Sequence, residues 1–519
     1  MWRRILAEVP EGSNIDNSLL ERFEQEVWSK VPHLEEGSET KVVNATPLVD
    51  MTEDFKECAK SVFKLNLDDA DLKVFGKLDS TLLTGSIKVR PAANIIHNAI
   101  VTGNLKSGQT VIEATSGNFG IALGLLSKLG LNVIALVSKK LQEGVFEELR
   151  NGNVRAMDLD MDICPAPGME GKQDLMVAKA TAANVRSQLF NFGFDTDIFD
   201  KEISEIESLL AKQDIINLAK FLAKSYGFFC PAQYDNQLNI EAHRTITAVE
   251  IDQQLHENGD SLENFNIFCT FGTGGTSGGL SRYVSEKYGK KSVYVIFPPS
   301  NQDVAGIRTK ANADGLTLYN PEIYAEQQEM DWEKAKLLLK FFVEKGHAMG
   351  ESSALELYAI LQKASSEGGG KFVAMICDGI EKYKKNLATI GQEGPMQVSL
   401  EEANASGYDK VIWIHAQYTP QEPGIELIAK SLGIDKSKIC IPDARTAQEL
   451  LTTRQIPESL SKDLEGDSKP LLVCMAGKTS LMAAKVLATK GVMTDSLIGG
   501  ITELPEGKTK QLSELIRQA

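Results

Sequence analysis

Two segments in the first quarter of the chain place a chemically useful side chain beside a turn of small residues. In TGSIKVRPAANII, residues 84 to 96, Lys88 lies between such a turn and an apolar helical run. A lysine amine can form an imine with a carbonyl compound, although a single lysine is usually a solvated surface residue. In EATSGNFGIALG, residues 113 to 124, a predicted strand ends in a polar turn before a helix. The same residue types also make an ordinary helix N-cap.

A third segment, FGTGGTSGGLSRYV at residues 271 to 284, predicts a phosphate site. It follows the apolar run NIFCT and precedes a helix, so its glycines expose backbone amides at the positive end of that helix. It is not a Walker loop, because neither GKS nor GKT follows. Ser277 stands where the dinucleotide motif GxGxxG needs its third glycine. A phosphate monoester therefore fits this segment better than a nucleotide.

A cysteine near the C-terminus has a comparable setting. In KPLLVCMAGKTSLMAAKVLATKGV, residues 469 to 492, Cys474 ends an apolar strand and precedes a helix. GKTS is not a phosphate loop here, because Leu472 occupies the position where Walker spacing requires glycine. Loop amides, the helix N-terminus and Lys478 would lower the pKa of the Cys474 thiol and stabilise an anionic sulfur. A buried structural cysteine is the alternative.

To act together, these segments must lie at strand ends that are close in space. The sequence predicts an α/β fold, which can place them so. Apolar runs such as VIALV, NIFCTF and FVAMIC alternate with helical stretches, which is typical of largely parallel, buried strands. Glycine and proline in ATIGQEGPMQ, residues 388 to 397, indicate a linker. Beyond it, VIWIH, KICIP, LLVCM and DSLIGG are strand candidates of a second, smaller α/β unit.

We therefore expect an N-terminal extension over residues 1–40, a first domain over residues 41–390 and a second over residues 398–519. Prolines and an acidic run interrupt the alternation between about residues 151 and 210. We interpret that stretch as an insertion on the first domain.

Composition excludes several classes of protein. The chain has 519 residues, a formal charge of -16 and a pI near 5.1, which oppose binding to nucleic acid or to an anionic membrane. We expect no secretory signal, no membrane span and a cytoplasmic location. Seven scattered cysteines and six dispersed histidines favour free thiols and no metal.

The three N-terminal segments, together and in this order, resemble the fold type II pyridoxal-phosphate enzymes, and most closely cysteine synthase (O-acetylserine sulfhydrylase). The resemblance covers roughly residues 40 to 390. It implies two open α/β subdomains, as in the tryptophan synthase β family, with pyridoxal 5'-phosphate as cofactor and a homodimer. Further similar segments are NATPLVDM near residue 47, CPAQYDNQLNIEAHRTITAVEI at 230 to 251, GESSALELYAIL at 350 to 361 and ICDGIEKYKKN at 376 to 386.

Carried over residue by residue, the resemblance implies that Lys88 forms the Schiff base and removes the α-proton of the substrate. Asn118 would hydrogen-bond the ring hydroxyl. The residues implied to cradle the phosphate are Gly272, Thr273, Gly274, Gly275 and Thr276. Those implied to clamp the carboxylate of the amino acid are Thr115, Ser116, Gly117 and Gln233.

The chain departs from the family in two places. The family usually places a hydroxyl near the pyridine nitrogen, where this chain has Cys377 and Asp378. Either could contact the nitrogen, but a carboxylate would favour a protonated ring, which this fold type normally avoids. In addition, GIRTKANADG, residues 306 to 315, replaces a Gly-Ile-Gly-Ala-Gly segment. This GIR resembles the O-phosphoserine-using sulfhydrylases, so Arg308 implies an anionic leaving group bound by a bidentate pair; an outward arginine on a loop is the alternative.

The C-terminal segment resembles the rhodanese family, in which a cysteine opens a six-residue loop whose amides cradle a persulfide. The loop here is CMAGKT, with LIGG at 497 to 500 and DARTAQELLTTRQIPESL at 443 to 460 as further similar segments. Cys474 would carry the sulfur. The residues implied to form the persulfide loop are Met475, Ala476, Gly477, Lys478 and Thr479.

Together the two resemblances predict an enzyme that makes L-cysteine from an activated serine and a sulfur donor by β-replacement. The rhodanese-like domain would then handle sulfane sulfur, for example as a thiosulfate sulfurtransferase. Two alternatives stay open: a β-elimination enzyme, such as a cysteine desulfhydrase or a serine or threonine dehydratase, and a non-catalytic regulatory or interaction role for the C-terminal domain.

Overall fold

The computed structural model describes most of the chain, in two compact units. Described residues up to 387 form the first unit, and those from 397 onward form the second. The proposed linker at 388 to 397 falls almost entirely outside the described residues. The described residues are 15–138, 143–161, 181–300, 302, 304–383, 387, 397–415, 418–453, 455–464, 469–488, 490, 492–505 and 512–518.

The first unit alternates helices and strands along the chain. Its helices are α1 (Asn17–Glu26), α2 (Thr52–Ser61), α3 (Val89–Val101), α4 (Asn118–Leu123), α5 (Glu143–Asn151), α6 (Ala182–Asn191), α7 (Thr196–Lys201), α8 (Ile203–Ala211), α9 (Ile215–Tyr226), α10 (Gln237–Ala242), α11 (Ala248–Glu257), α12 (Gly275–Tyr288), α13 (Lys310–Ala313), α14 (Trp332–Glu344) and α15 (Glu351–Glu367). Its strands are β1 (His33–Leu34), β2 (Val42–Val43), β3 (Leu48–Asp50), β4 (Asp71–Leu78), β5 (Thr110–Thr115), β6 (Asn132–Ser138), β7 (Val154–Met161), β8 (Asn266–Thr270), β9 (Val293–Phe297), β10 (Glu326–Glu329) and β11 (Gly369–Ile376).

A three-stranded parallel sheet, in the order β5-β6-β7, carries the asparagine segment at one strand end. Side chains alternate between its two faces, and both faces are apolar. Val133 and Ala135 pack on the core that includes α3, whereas Ile134 and Leu136 pack on α6 to α9. Helices on both faces explain why these strands are continuous apolar runs.

The segment interpreted as an insertion, about residues 151–210, completes this sheet in its described parts. Val154–Met161 is the edge strand β7. Val185, Leu189 and Phe199 on the helices that follow are fully buried in the core of the sheet. These residues therefore build the fold of the first unit; residues 162 to 180 lie outside the described part of the chain.

The described part of the N-terminal segment, residues 15–40, also belongs to the core of the first unit. Leu19, Phe23 and Val27 recur every four residues, so α1 and the residue after it present one apolar face. All three are buried in one core with Val89 and Ile96 of α3. This N-terminal segment therefore packs against α3, the helix that begins directly after Lys88.

A six-stranded sheet, in the order β10-β9-β8-β11-β4-β3, carries the glycine segment. All neighbouring pairs are parallel except β3 with β4. One face, with Ile267, Val295 and Met375, packs on the core that includes α11 and α12. Helix α15 packs against β8 and β11. The ends of β8 and β11 therefore lie side by side, which brings the loops that follow them together.

The second unit is a smaller α/β unit with a five-stranded parallel sheet. The strands, in their order across that sheet, are β12 (Gln397–Val398), β17 (Asp495–Leu497), β16 (Leu471–Val473), β13 (Val411–Trp413) and β15 (Ile439–Cys440). The four apolar runs predicted as strands beyond residue 398 contribute β13, β15, β16 and β17. Its other strands are β14 (Tyr418–Pro420) and β18 (Ile516–Gln518). Its helices are α16 (Leu400–Ser406), α17 (Glu422–Leu432), α18 (Ala444–Thr453), α19 (Glu458–Leu464), α20 (Lys478–Ala488) and α21 (Leu512–Leu515).

Within the residues that the structure describes, none of the helices has both the length and the apolar character needed to span a bilayer.

Candidate active site

Lys88 lies where the turn of residues 84 to 87 meets the first residue of α3. The turn is fixed to the end of β11, because the N–H of Ile87 donates to the carbonyl of Cys377 at 2.7 Å. Lys88 is half-buried and lines a cavity of the first unit. Burial lowers the pKa of its amine, while Cys377 and Asp378 oppose that shift. A lowered pKa increases the fraction of neutral amine, which is the form that attacks a carbonyl carbon.

The asparagine segment turns sharply between β5 and α4. Gly117 has a φ of 121°, a backbone conformation that favours glycine. The buried hydroxyl of Thr115 accepts hydrogen bonds from the N–H groups of Gly117 and Gly120, at 3.0 and 3.2 Å, and so caps α4. The turn directs Ser116 and Asn118 into the cavity that Lys88 lines.

Gln233 lies on the same cavity and is held by buried partners. Its Nε2 donates to the carbonyl of Ala114 at 2.9 Å, and its backbone N–H donates to Glu113 Oε2 at 3.1 Å. Asn239 donates both to the carbonyl of Gln233, at 2.8 Å, and to Thr273 Oγ1, at 3.0 Å. One buried amide therefore links the position of Gln233 to that of the glycine loop.

The glycine loop runs from the end of β8 into the start of α12. A Cβ atom on Gly275 would lie 1.9 Å from Asn239 Oδ1, and Gly274 has a φ of 89°. Larger residues would therefore clash or strain the backbone there. Thr276 Oγ1 lies 3.3 Å from Nε2 of the buried His243, which fixes the side chain of Thr276 at the helix start. The exposed amides at the start of α12 suit an anion.

The amine of Lys88 lies beside the first glycine of the loop. A Cβ atom on Gly272 would lie 3.8 Å from Lys88 Nζ and 3.1 Å from the carbonyl of Gly306. Only a residue without a side chain leaves this space open. The cavity thus combines an amine, a phosphate-type loop and the amide of Asn118, a set of groups that fits a phosphate-bearing aldehyde.

Comparison with known proteins identifies the family. The model of the family described as "Pyridoxal-phosphate dependent enzyme" matches residues 61–378, more than half of the chain. The chain belongs to this family.

Cysteine synthase of Staphylococcus aureus is 25% identical over 346 residues, which cover 65% of this chain and 91% of that protein. Cysteine synthase B of Escherichia coli is 26% identical over 318 residues, or 61% of this chain and 88% of that protein. The solved structure of O-ureido-L-serine synthase is 22% identical and covers 67% of this chain and 93% of its own, with a TM-score of 0.47.

The chain is thus an α/β, fold type II pyridoxal-phosphate dependent enzyme similar to cysteine synthases. The residues that could hold the cofactor are Lys88, Asn118, Gly272, Thr273, Gly274, Gly275 and Thr276, which all line the one cavity. Ser116, Gln233 and Arg308 line it as well, whereas Thr115 and Gly117 do not line it directly.

Cys377 and Asp378 follow β11 and line the cavity of this pyridoxal-phosphate dependent enzyme. Burial raises the pKa of the Cys377 thiol well above its usual value, so the thiol stays neutral. Asp378 Oδ2 accepts hydrogen bonds from Asn118 Nδ2, at 2.7 Å, and from the hydroxyl of Tyr383, at 2.6 Å. These contacts direct the carboxylate of Asp378 toward Asn118.

Arg308 lies inside the cavity, with 8% of its surface exposed. Its Nε donates to the carbonyl of Gly272 at 3.0 Å, and its guanidinium lies 4.9 Å from the centre of the Tyr234 ring. The aromatic face and the carbonyl together fix the orientation of a buried positive charge. An anionic group in this cavity would meet that charge beside the glycine loop.

Glu356, a buried residue of α15, lies in the similar segment at 350 to 361, but its residue type and spacing do not predict a place in the site. Its Oε1 accepts from the N–H and hydroxyl of Thr270, at 2.8 and 2.9 Å, and its Oε2 accepts from the N–H of Met375 at 2.7 Å. It therefore joins the ends of β8 and β11. Asn239 and His243 were missed in the same way; only their place within the similar segment at 230 to 251 could have indicated them.

In the second unit of the enzyme, Cys474 directly follows the central strand β16. Its Sγ accepts from the N–H of Gly477 at 3.1 Å and from the hydroxyl of Ser480 at 3.3 Å. A Cβ atom on Gly500 would lie 2.2 Å from the carbonyl of Cys474, so the LIGG turn packs closely on this loop. Cys474 is fully buried.

The other predicted loop residues directly follow Cys474 in sequence, and the structure describes them to different extents. Met475 and Thr479 are buried, Ala476 is half-buried, and Gly477 has a φ of 78°. Lys478 begins α20, but its side chain lies outside the part of the chain whose side chains are described.

We expect Glu356 to make folding pH-dependent. Burial raises its pKa from 4.5 to about 8, and burial does the same to Glu113. A carboxyl whose pKa is raised on folding stabilises the folded state below its unfolded pKa, and that stabilisation is lost as pH rises through about 8. The free energy of unfolding of the wild type should therefore fall between about pH 5 and pH 9. In Glu356→Gln this fall should be smaller by on the order of 3 kcal/mol.

Urea denaturation of the two proteins at both pH values, followed by tryptophan fluorescence, measures this difference. Glu367→Gln is the matched control, because Glu367 lies at the exposed end of the same helix. An equal pH dependence in wild type and Glu356→Gln would show that Glu356 is not the responsible group.

Proposed function

We propose that the first unit makes L-cysteine by β-replacement, from an activated L-serine such as O-phospho- or O-acetyl-L-serine and a sulfur donor. The observation that carries this proposal is that Lys88, the glycine loop and the Asn118 amide line one cavity with Ser116 and Gln233. The cysteine synthases of Staphylococcus aureus and Escherichia coli, which resemble the chain over most of their length, support the same reaction.

The residues of the cavity have separate roles in this reaction. Pyridoxal phosphate, when bound, supplies an electron-withdrawing ring that stabilises negative charge at the substrate α-carbon. Lys88 would bind the cofactor carbonyl carbon and, as a neutral amine, accept the proton from the α-carbon. The amides at the start of α12 would hold the phosphate. Ser116 and Gln233 would orient the substrate carboxylate.

Cys377, rather than Asp378, is our choice for the residue at the pyridine nitrogen. Asp378 is directed toward Asn118 and Tyr383, whereas the neutral thiol of Cys377 carries no charge into the cavity. A neutral neighbour leaves the ring nitrogen unprotonated, as the fold type II resemblance implies.

Lys88→Ala tests the site and the reaction together. We expect wild type to form cysteine from sulfide and O-phosphoserine or O-acetylserine, and we expect Lys88→Ala to lose that activity by at least about a thousandfold, because no other amine replaces it. The variant should also release its cofactor on dialysis, seen as loss of the bound-cofactor absorbance.

Lys290→Ala is the matched control, because Lys290 is exposed and pairs with Glu263 outside the cavity. Retained absorbance in dialysed Lys88→Ala would contradict the assignment of Lys88. If the enzyme forms pyruvate but no cysteine, and sulfide does not change the rate, the reaction is β-elimination and not β-replacement.

Arg308 supports O-phospho-L-serine as a substrate, because the phosphate leaving group would pair with a buried guanidinium. We expect Arg308→Ala to lower kcat/KM for O-phosphoserine by roughly 10- to 100-fold, the value of one or two charge-assisted hydrogen bonds. Turnover of O-acetylserine, which carries no such charge, should change much less.

Steady-state kinetics with both substrates separate a role of Arg308 in substrate specificity from a role in holding the glycine loop. An equal loss for the two substrates would mean that Arg308 acts only through its hydrogen bond to Gly272. Equal turnover of O-phosphoserine by wild type and Arg308→Ala would remove Arg308 from the site.

A second candidate function concerns the second unit, which we propose transfers sulfane sulfur through Cys474, as in the rhodanese-like domain that its loop resembles. Two donors on Sγ, the N–H of Gly477 and the hydroxyl of Ser480, favour an anionic sulfur there. The thiolate would break the S–S bond of thiosulfate, release sulfite and take the sulfane sulfur. Cyanide would then remove that sulfur as thiocyanate and restore the thiolate.

Cyanide-dependent thiocyanate formation from thiosulfate tests this function. We expect Cys474→Ser to fall to the uncatalysed background and Ser480→Ala to lose roughly tenfold, since one hydrogen bond to a charged sulfur disappears. Cys440→Ser, at a partly exposed cysteine after Ile439, is the control. If wild type and Cys474→Ser show the same background rate, the second unit has a non-catalytic role.

A further inference from the structure

The amide of Asn118 lies between two charged side chains of the first unit. Its Nδ2 donates to Asp378 Oδ2 at 2.7 Å, and its Oδ1 accepts from Lys382 Nζ at 2.5 Å. The two charged groups lie 3.9 Å apart and are almost completely buried, with 4% and 7% of their side chains exposed. Water therefore competes little for these contacts.

These two neighbours fix which way the amide points. A carboxylate can only accept hydrogen bonds, and a lysine ammonium can only donate them. Rotating the Asn118 amide by 180° would set a donor against Lys382 and an acceptor against Asp378. Only one orientation satisfies both contacts, with the nitrogen at Asp378 and the oxygen at Lys382.

Further groups hold the pair in place. Burial raises the pKa of Tyr383 well above its usual value, so its phenol stays protonated and donates to Asp378. Burial lowers the pKa of Lys382, while the charges of Asp378 and of Glu148 on α5 oppose that shift. Lys88 and Asp378 line the same cavity. Burial lowers the pKa of the Lys88 amine, and the charge of Asp378 opposes that shift.

The fixed orientation decides what Asn118 presents to the cavity. Its carbonyl is engaged by Lys382, and one of its two amide hydrogens is engaged by Asp378. The remaining hydrogen of Nδ2, which has the Tyr383 hydroxyl as its other neighbour, is the donor that Asn118 can offer to the cavity. A donor beside a phenolic oxygen favours the deprotonated form of that oxygen.

We propose that Lys382 and Asp378 are positioning residues that lock Asn118 as a hydrogen-bond donor to the cofactor's ring hydroxyl oxygen, and so keep that oxygen deprotonated. The inference rests on the proposed function and on the role that the family resemblance implies for Asn118, as the residue that hydrogen-bonds this oxygen. Lys382 touches neither cofactor nor substrate in this arrangement and acts through the amide alone. Without it, the amide could rotate and accept a proton from the ring hydroxyl.

The absorbance spectrum of the purified holoenzyme tests this proposal, because the neutral and anionic ring oxygens absorb at different wavelengths. At one fixed pH near neutrality, we expect Lys382→Met to move part of the long-wavelength band of the bound cofactor to shorter wavelength. Lys382→Arg, which retains a cationic donor, should restore most of the wild-type spectrum. Lys340→Met, at an exposed lysine of α14, should leave the spectrum unchanged.

Asn118→Ala separates failure of this inference from failure of the site. If Asn118→Ala changes the spectrum but Lys382→Met does not, the site stands and the positioning role of Lys382 is wrong. If neither variant changes it, Asn118 does not contact the ring oxygen. Should Lys382→Met not fold, Asp378→Asn provides the same measurement, and a wild-type spectrum in that variant would also overturn the proposal.

Discussion

The carboxyl group of Glu356 joins the two strand ends on which the active site depends. It accepts from Thr270 at the end of β8 and from Met375 near the end of β11. The glycine loop continues from the first strand, and Cys377 and Asp378 continue from the second. The carbonyl of Cys377 in turn holds the turn before Lys88. A single buried side chain thus sets the spacing between the glycine loop, the residues that follow β11 and the turn before Lys88.

The second constraint is the meeting of two sheets. One sheet supplies the turn after β5, with Asn118, and the other supplies the loops after β8 and β11. Side chains at the carboxyl ends of parallel strands converge on one crevice, where α/β proteins commonly bind ligands. Asn239 spans this crevice by donating to both the carbonyl of Gln233 and Thr273 Oγ1, so the position of Gln233 is linked to that of the glycine loop.

Local sequence patterns, together with the family resemblance, were enough to single out three segments of the candidate site. Lys88 lies between small residues and a helix start, whereas the Asn118 turn and the Gly272 to Thr276 loop each join a strand end to a helix start. The structure places all three on one cavity. Partners distant in sequence could not be found this way. Glu356 and Lys382 lie in segments similar to the family, but no spacing pattern marks them, because each contacts a residue more than 80 positions away.

The sequence was less informative about two segments that pack in the cores of the first unit. The apolar spacing of Leu19, Phe23 and Val27 is a helix signal that could have assigned the N-terminal segment to the core. The stretch from 151 to 210 was interpreted as an insertion because its prolines and acidic residues obscure the strand at Val154–Met161. Periodicity shows that a face is apolar; it does not show which sheet that face will cover.

The first unit begins upstream of the residues that the family model matches, because it includes the helix α1. The family match begins at residue 61, yet Phe23 and Trp28 are buried in the core that includes α3. A chain shortened to the matched region would uncover an apolar surface directly behind the helix that follows Lys88. Such a surface promotes self-association, so a minimal soluble catalytic fragment of this protein has to start upstream of α1.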